Sequence, residues 1–98
     1  MNMPLNSTYL TPYELGNQNQ TTTWEKCIPF YEKLAADFPK VLRFMQIGVS
    51  DNGIPMHAGV ITADAEFDRE TLKAAGRPVF FNNNGIHPGE PEGIDSCM

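Results

Sequence analysis

His87 and Glu90 stand three positions apart in the run Gly85-Ile86-His87-Pro88-Gly89-Glu90-Pro91-Glu92-Gly93, and together they offer an imidazole nitrogen and a carboxylate oxygen. Pro88 disfavours helical backbone at His87, Pro91 does the same at Glu90, and Pro-Gly at the centre of four residues favours a type II turn. Such a turn keeps its first and last α-carbons within about 7 Å. From there the two side chains can converge on one ion lying about 2 Å from each donor. A mixed nitrogen and oxygen set suits zinc, which accepts four ligands, better than calcium, which wants six or more oxygens. Glu92 and Asp95 come soon after, but on an incoming helix they are expected to offset its N-terminal dipole, so they are read as non-ligands. A bare H-x-x-E is a weak signal that taken alone favours a plain surface turn, and the case for a ligand pair comes from context.

That context begins with Pro78-Val79-Phe80-Phe81, a short, wholly apolar run that predicts a strand buried on both faces of a sheet. Asn82-Asn83-Asn84-Gly85 ends it, and loops at the carboxyl ends of strands are where open α/β sheets place ligands. Upstream, Thr22-Thr23-Trp24-Glu25 fits a capping box, and Trp24, Cys27, Ile28, Tyr31, Leu34, Ala35 and Phe38 recur at helical spacing up to Pro39. Pro29 within that helix requires either a kink or a regular part that starts near it. Residues 43–50 and 54–62 are β-prone, and Asp51-Asn52-Gly53 between them signals a hairpin. Asp68 is a natural cap for a short helix through Ala75, and Gly76 a natural stop. Residues 1–20, rich in Asn, Gln, Thr and Pro, read as an extended lead-in. Helix, hairpin, connection, buried strand and loop make the start of an α/β sheet, incomplete within these residues.

The segment Asn84 to Asp95 resembles the first zinc-binding segment of the zinc metallocarboxypeptidase family. The upstream order is similar too: a helix closing on Phe38-Pro39, then Gln46-Ile47-Gly48-Val49-Ser50 and Asp51-Asn52-Gly53-Ile54-Pro55, resembles that family's first helix and hairpin. The likeness covers residues 21–98, is strongest in the last fifteen residues, and is nearer the bacterial branches than the digestive enzymes. It implies the N-terminal portion of the zinc carboxypeptidase fold, a mixed sheet flanked by helices, over residues 21–98. It also implies that His87 and Glu90 are two ligands of one zinc ion, and that the substrate is a peptide or an acylated amino acid. The second His ligand, the carboxylate-clamping Arg residues and the general-base Glu of such an enzyme are expected beyond residue 98. Weak zinc binding and no turnover by these 98 residues alone are the corresponding expectations. An aspartoacylase-like amidohydrolase, which uses a similar metal segment, and a non-catalytic interaction module are the rival readings.

Composition trims the remaining possibilities. Seven Lys and Arg against twelve Asp and Glu give a formal charge of -5, which argues against a nucleic-acid partner. No apolar run reaches the roughly 20 residues that cross a bilayer, and the opening Met1-Asn2-Met3-Pro4 lacks the pattern of a signal peptide, although an exported parent would be in keeping with bacterial relatives. A second domain is not expected at this length. Cys27 and Cys97 allow one disulfide at most. Cys27 reads as core, His57 as a strand residue on one face, and Trp24, Tyr31, Phe38, Phe80 and Phe81 as core aromatics. Sheet faces left uncovered around Val79, Phe80 and Phe81 predict self-association.

Overall fold

Seven short elements succeed one another in the structure, a computed structural model that describes residues 7–87 and 89–98. A 3₁₀ turn (Ser7–Tyr9), α1 (Pro12–Leu15) and α2 (Trp24–Asp37) precede the strands β1 (Leu42–Val49) and β2 (Pro55–Ile61), and α3 (Arg69–Ala74) and α4 (Pro91–Cys97) come after them. The chain is mixed α/β and divides into two compact units, Tyr31–Phe80 and the pair of segments Met1–Phe30 and Phe81–Met98.

In the unit Tyr31–Phe80 the expected hairpin forms. The Ser50 amide donates to the Ile54 carbonyl and the Gly53 amide to the Ser50 carbonyl, both at 2.9 Å, and Gly53 takes φ +77. A side chain there would cost about 1 kcal/mol. The antiparallel pairs run from Leu42 opposite Ile61 to Val49 opposite Pro55, with an irregularity between Gln46 and Gly48 that leaves Ile47 unpaired. One extra residue reverses the facing of the residues beyond it, so Phe44 and Val49 do not share a simple alternation. On the face carrying Leu42 and Phe44, the Phe44 ring stacks on Tyr31 of α2 at 5.3 Å and on His57 at 4.9 Å. Each such pair adds about 0.5–1.5 kcal/mol beyond area burial. Leu42, 7% exposed, is the buried apolar side chain among the described residues. His57 is therefore a packed strand residue, as its position suggests.

The short helix α3 has both ends the sequence announces. The Asp68 carboxylate accepts from the Thr71 amide (2.9 Å) and hydroxyl (2.7 Å). At the far end Gly76, at φ +69, donates to the Lys73 carbonyl and Arg77 donates to the Leu72 carbonyl, the paired bonds of a Schellman stop. The helix α2 runs unbroken from Trp24 to Asp37 with Pro29 inside it, so the Glu25 carbonyl loses its usual partner four residues on. Its expected capping box is replaced: the Thr22 amide donates to Asp95, and the Thr22 hydroxyl to the Thr23 carbonyl.

Three expectations are corrected. The lead-in, of which residues 1–6 lie outside the described residues, contains the 3₁₀ turn and α1. At α1 the Thr11 amide donates to the Glu14 carboxylate (3.1 Å) while the Glu14 amide donates to the Thr11 hydroxyl (3.3 Å), a complete capping box with Pro12 at the first position. Next, Pro78–Phe81 is not a buried strand. Val79, Phe80 and Phe81 are 85%, 91% and 82% exposed, because β1 and β2 pair only with each other and offer this segment no ladder. The sheet among the described residues is accordingly a two-stranded antiparallel one, in place of the larger mixed sheet expected. Finally, Trp24 and Phe38 are each 46% exposed and so are not core aromatics, whereas Tyr31 is half-buried against Phe44. No helix among the described residues is long and apolar enough to cross a membrane.

Candidate metal centre

Two glycines let the loop that carries His87 close on α4. Gly85 has φ +70, and a Cβ there would stand 2.5 Å from Ile94 Cδ1. Gly93, on α4, faces Asn84 so closely that a Cβ would lie 2.9 Å from that side chain. Asn84 Nδ2 then donates to the Gly93 carbonyl (3.2 Å) and to Cys97 Sγ (2.8 Å), and Asn82 Nδ2 donates to the same sulfur (3.3 Å). The run Asn82-Asn83-Asn84, which reads as a strand terminator, therefore supplies two of the side chains that seat the loop on the helix.

A second clamp holds α4 from the other side. Asp95 Oδ2 accepts from the Thr21 hydroxyl at 2.7 Å and Oδ1 accepts from the Thr22 amide at 3.1 Å. The Asp95 carboxylate thereby serves the segment before α2 and not the dipole of its own helix, which corrects the role expected of it. Glu92 does lie in the first turn of α4, as expected. Neither the Asp95 clamp nor the Asn82 and Asn84 contacts has a local sequence signature, since Thr21 and Asp95 are 74 positions apart.

Within this frame His87 and Glu90 come together. The Glu90 amide donates to the His87 carbonyl at 3.1 Å, which closes the four-residue turn. The part of the turn expectation that rests on Pro88 lies outside the described residues. Glu90 occupies the N-cap position of α4, yet its side chain makes no cap bond. The carboxylate turns to the imidazole instead, with Oε2 at 2.9 Å and Oε1 at 3.1 Å from His87 Nδ1. Both groups are open to solvent, the His87 side chain 74% and the Glu90 side chain 46% exposed.

These distances bear on zinc. Two neighbouring donors of a tetrahedral shell, with bonds of about 2.0–2.1 Å, stand about 3.3 Å apart. At 2.9 and 3.1 Å the imidazole nitrogen and the carboxylate oxygens lie slightly inside that spacing, so a cation shared by the two would have to part them a little. The residues fit half of a zinc shell. Among the described residues no cluster of three or more His, Cys, Asp or Glu converges on one point.

The cysteines play no part in that pair. Both are free thiols, Cys97 exposed and Cys27 half-buried. Burial pushes the Cys27 thiol above its ordinary range, and the negative charge of Asp95 pushes it further the same way. A neutral, partly desolvated thiol is a poor ligand and a poor nucleophile at neutral pH. Comparison of the chain with protein-family models, with curated proteins and with solved structures returns no match.

Proposed function

We propose that this chain provides the first metal-binding segment of a zinc-dependent metallocarboxypeptidase, acting on a peptide or an acylated amino acid. The observation that carries the reading is the convergence of His87 Nδ1 and the Glu90 carboxylate to 2.9 Å in a closed turn, with the N-cap carboxylate withheld from its own helix. Likeness of the segment around them to the family's zinc motif adds the substrate class and the carboxypeptidase fold to that reading. Zinc bound there would polarise a scissile carbonyl and acidify a water.

The chain's own residues have positioning tasks. His87 presents Nδ1 at the mouth of the turn. Glu90 orients the ring and offers two carboxylate oxygens on the same side. Gly85, Gly93 and Asn84 seat the turn against α4, which matters because a ligand pair displaced by an ångström no longer shares one ion.

Zinc titration of the 98-residue chain, monitored by NMR of the two histidine rings, tests the proposal. The His87 ring resonances are expected to shift and the His57 ones to stay put, with affinity weaker than micromolar because half the shell is missing, and His87→Ala or Glu90→Gln is expected to abolish the response. Zinc that perturbs His57 but leaves His87 unchanged would overturn the reading. So would cleavage of a C-terminal residue by the 98-residue chain of the Glu90→Gln variant.

A further inference from the structure

The seven basic residues of this acidic chain are not evenly spread. Within the unit Tyr31–Phe80 an open cavity of about 410 Å³ is lined by the half-buried Phe67 and Leu72, by the exposed Val60 and Val79, and by Arg69, Lys73 and Arg77. A fourth cation, Arg43, lies with its guanidinium carbon 4.3 Å above the Phe67 ring. Three of the seven Lys and Arg residues thus line one cavity, a fourth stacks on its Phe67, and no carboxylate lines it among the described residues. The volume falls within the range of about 300–1,000 Å³ usual for small-molecule sites.

The placement of two of these cations is locally unfavourable. Arg69 and Lys73 are four apart on the six-residue α3, where like charges repel, and Arg69 stands at the first position, where the helix dipole disfavours a cation. Helix stability alone does not account for that choice.

The charge of an anion suited to these cations can be argued as well. Arg77 is already bound by Asp64, the two side chains in direct ion pair, and the charge of Glu66 also acts on it. The open positive charge of the cavity is therefore that of Arg69 and Lys73, one planar fork and one point charge, with carboxylates just behind. Such a pair suits a monoanion better than a dianion, and the fork matches a carboxylate. The apolar lining side chains suit an alkyl or aryl body.

We infer that this cavity binds a small amphipathic carboxylate, with the apolar chain on Phe67, Leu72, Val60 and Val79 and the head group between Arg69 and Lys73. The site is independent of His87 and Glu90.

The test is a titration of the isotope-labelled 98-residue chain with sodium octanoate below its micellar concentration, read by amide chemical shifts, with octanol, octylammonium and acetate as controls. Saturable shifts at Val60, Phe67, Leu72 and Val79 are expected for octanoate, and only weak ones for the controls. In the double variant Arg69→Gln/Lys73→Gln, which leaves the Arg77–Asp64 pair and the Asp68 cap intact, the affinity is expected to fall roughly tenfold. Equal response to octanol and octanoate, octanoate shifts spread over Ile47 and Val49 as much as over the cavity, or unchanged affinity in a folded double variant would each overturn the inference. Binding to anionic vesicles without any response to octanoate would overturn it too, in favour of a membrane surface.

Discussion

Asp95 offers the sharpest perturbation, because one carboxylate both ties α4 to the segment before α2 and sets the field at a thiol. Asp95→Ala removes the acceptor of the Thr21 hydroxyl (2.7 Å) and of the Thr22 amide (3.1 Å). Hydrogen bonds to a charged group contribute about 1.5–3 kcal/mol each, and solvent at Thr21 lowers its share, so the loss is about 2–3 kcal/mol. Asp95→Asn keeps an oxygen for Thr22 and loses the charge assistance, for a loss of about 1 kcal/mol. Urea denaturation measures both.

The same two variants act on Cys27 in a way that separates charge from packing. Burial is the larger reason its thiol is raised and Asp95 the smaller, so Asp95→Asn should lower the midpoint for ionisation without restoring the ordinary value. The sign is fixed: removing a negative neighbour favours the thiolate. Alkylation of Cys27 against pH, in a Cys97→Ser background, is expected to show an acid-shifted midpoint with an unchanged rate plateau. A folded Asp95→Asn protein whose midpoint is unmoved or shifted upward would refute the electrostatic part. An Asp95→Ala protein within about 0.5 kcal/mol of the parent, the range of an ordinary surface change, would refute the clamp.

Other expectations rest on single features. The Arg77 guanidinium, bonded to Asp64, holds that carboxyl down at about 2, with further help from the Thr62 hydroxyl. A lowered folded-state value contributes stability that is present above the unfolded value of about 3.9 and is lost as pH falls through about 2, and Arg77→Gln should return the Asp64 carbon resonance to an ordinary titration. A titration near 4 in the parent chain would contradict the pairing. Gly85→Ala, with φ +70 and Ile94 in the way, should cost about 1–2 kcal/mol and loosen the His87–Glu90 contact, seen as loss of the Glu90 amide's exchange protection. Phe80→Asp together with Phe81→Asp should shift any concentration-dependent association toward monomer in light scattering, whereas a parent chain that stays monomeric at all concentrations would remove the basis for self-association.

Much of the fold is legible where the physics is local. Asp51-Asn52-Gly53 demands left-handed backbone, and β1 and β2 form around it within one residue of the expected bounds. Asp68 and Gly76 bracket α3 for similar reasons, one a short acceptor for exposed amides, the other free to turn left-handed. Thr11-Pro12-Tyr13-Glu14 carries the same capping signal as the segment at Thr22, but its neighbours lack an apolar period, so periodicity gives no sign of α1. At Thr22 the motif gave way to a bond with Asp95, which no local rule contains.

The His87–Glu90 pair divides along the same line. The spacing of the two residues already suggests a turn that brings an imidazole near a carboxylate, and the Glu90 amide does bond to the His87 carbonyl, while the part of the expectation that rests on Pro88 lies outside the described residues. That the Glu90 side chain makes no cap bond and meets His87 instead, in a loop seated on α4 by Asn84, was visible only in the tertiary structure, because the Asn84 bond to Gly93 has no local sequence signature. Burial of Val79, Phe80 and Phe81 was likewise beyond the sequence. Apolar character states a preference for leaving water, but only neighbouring strands can satisfy it, and β1 and β2 satisfy each other.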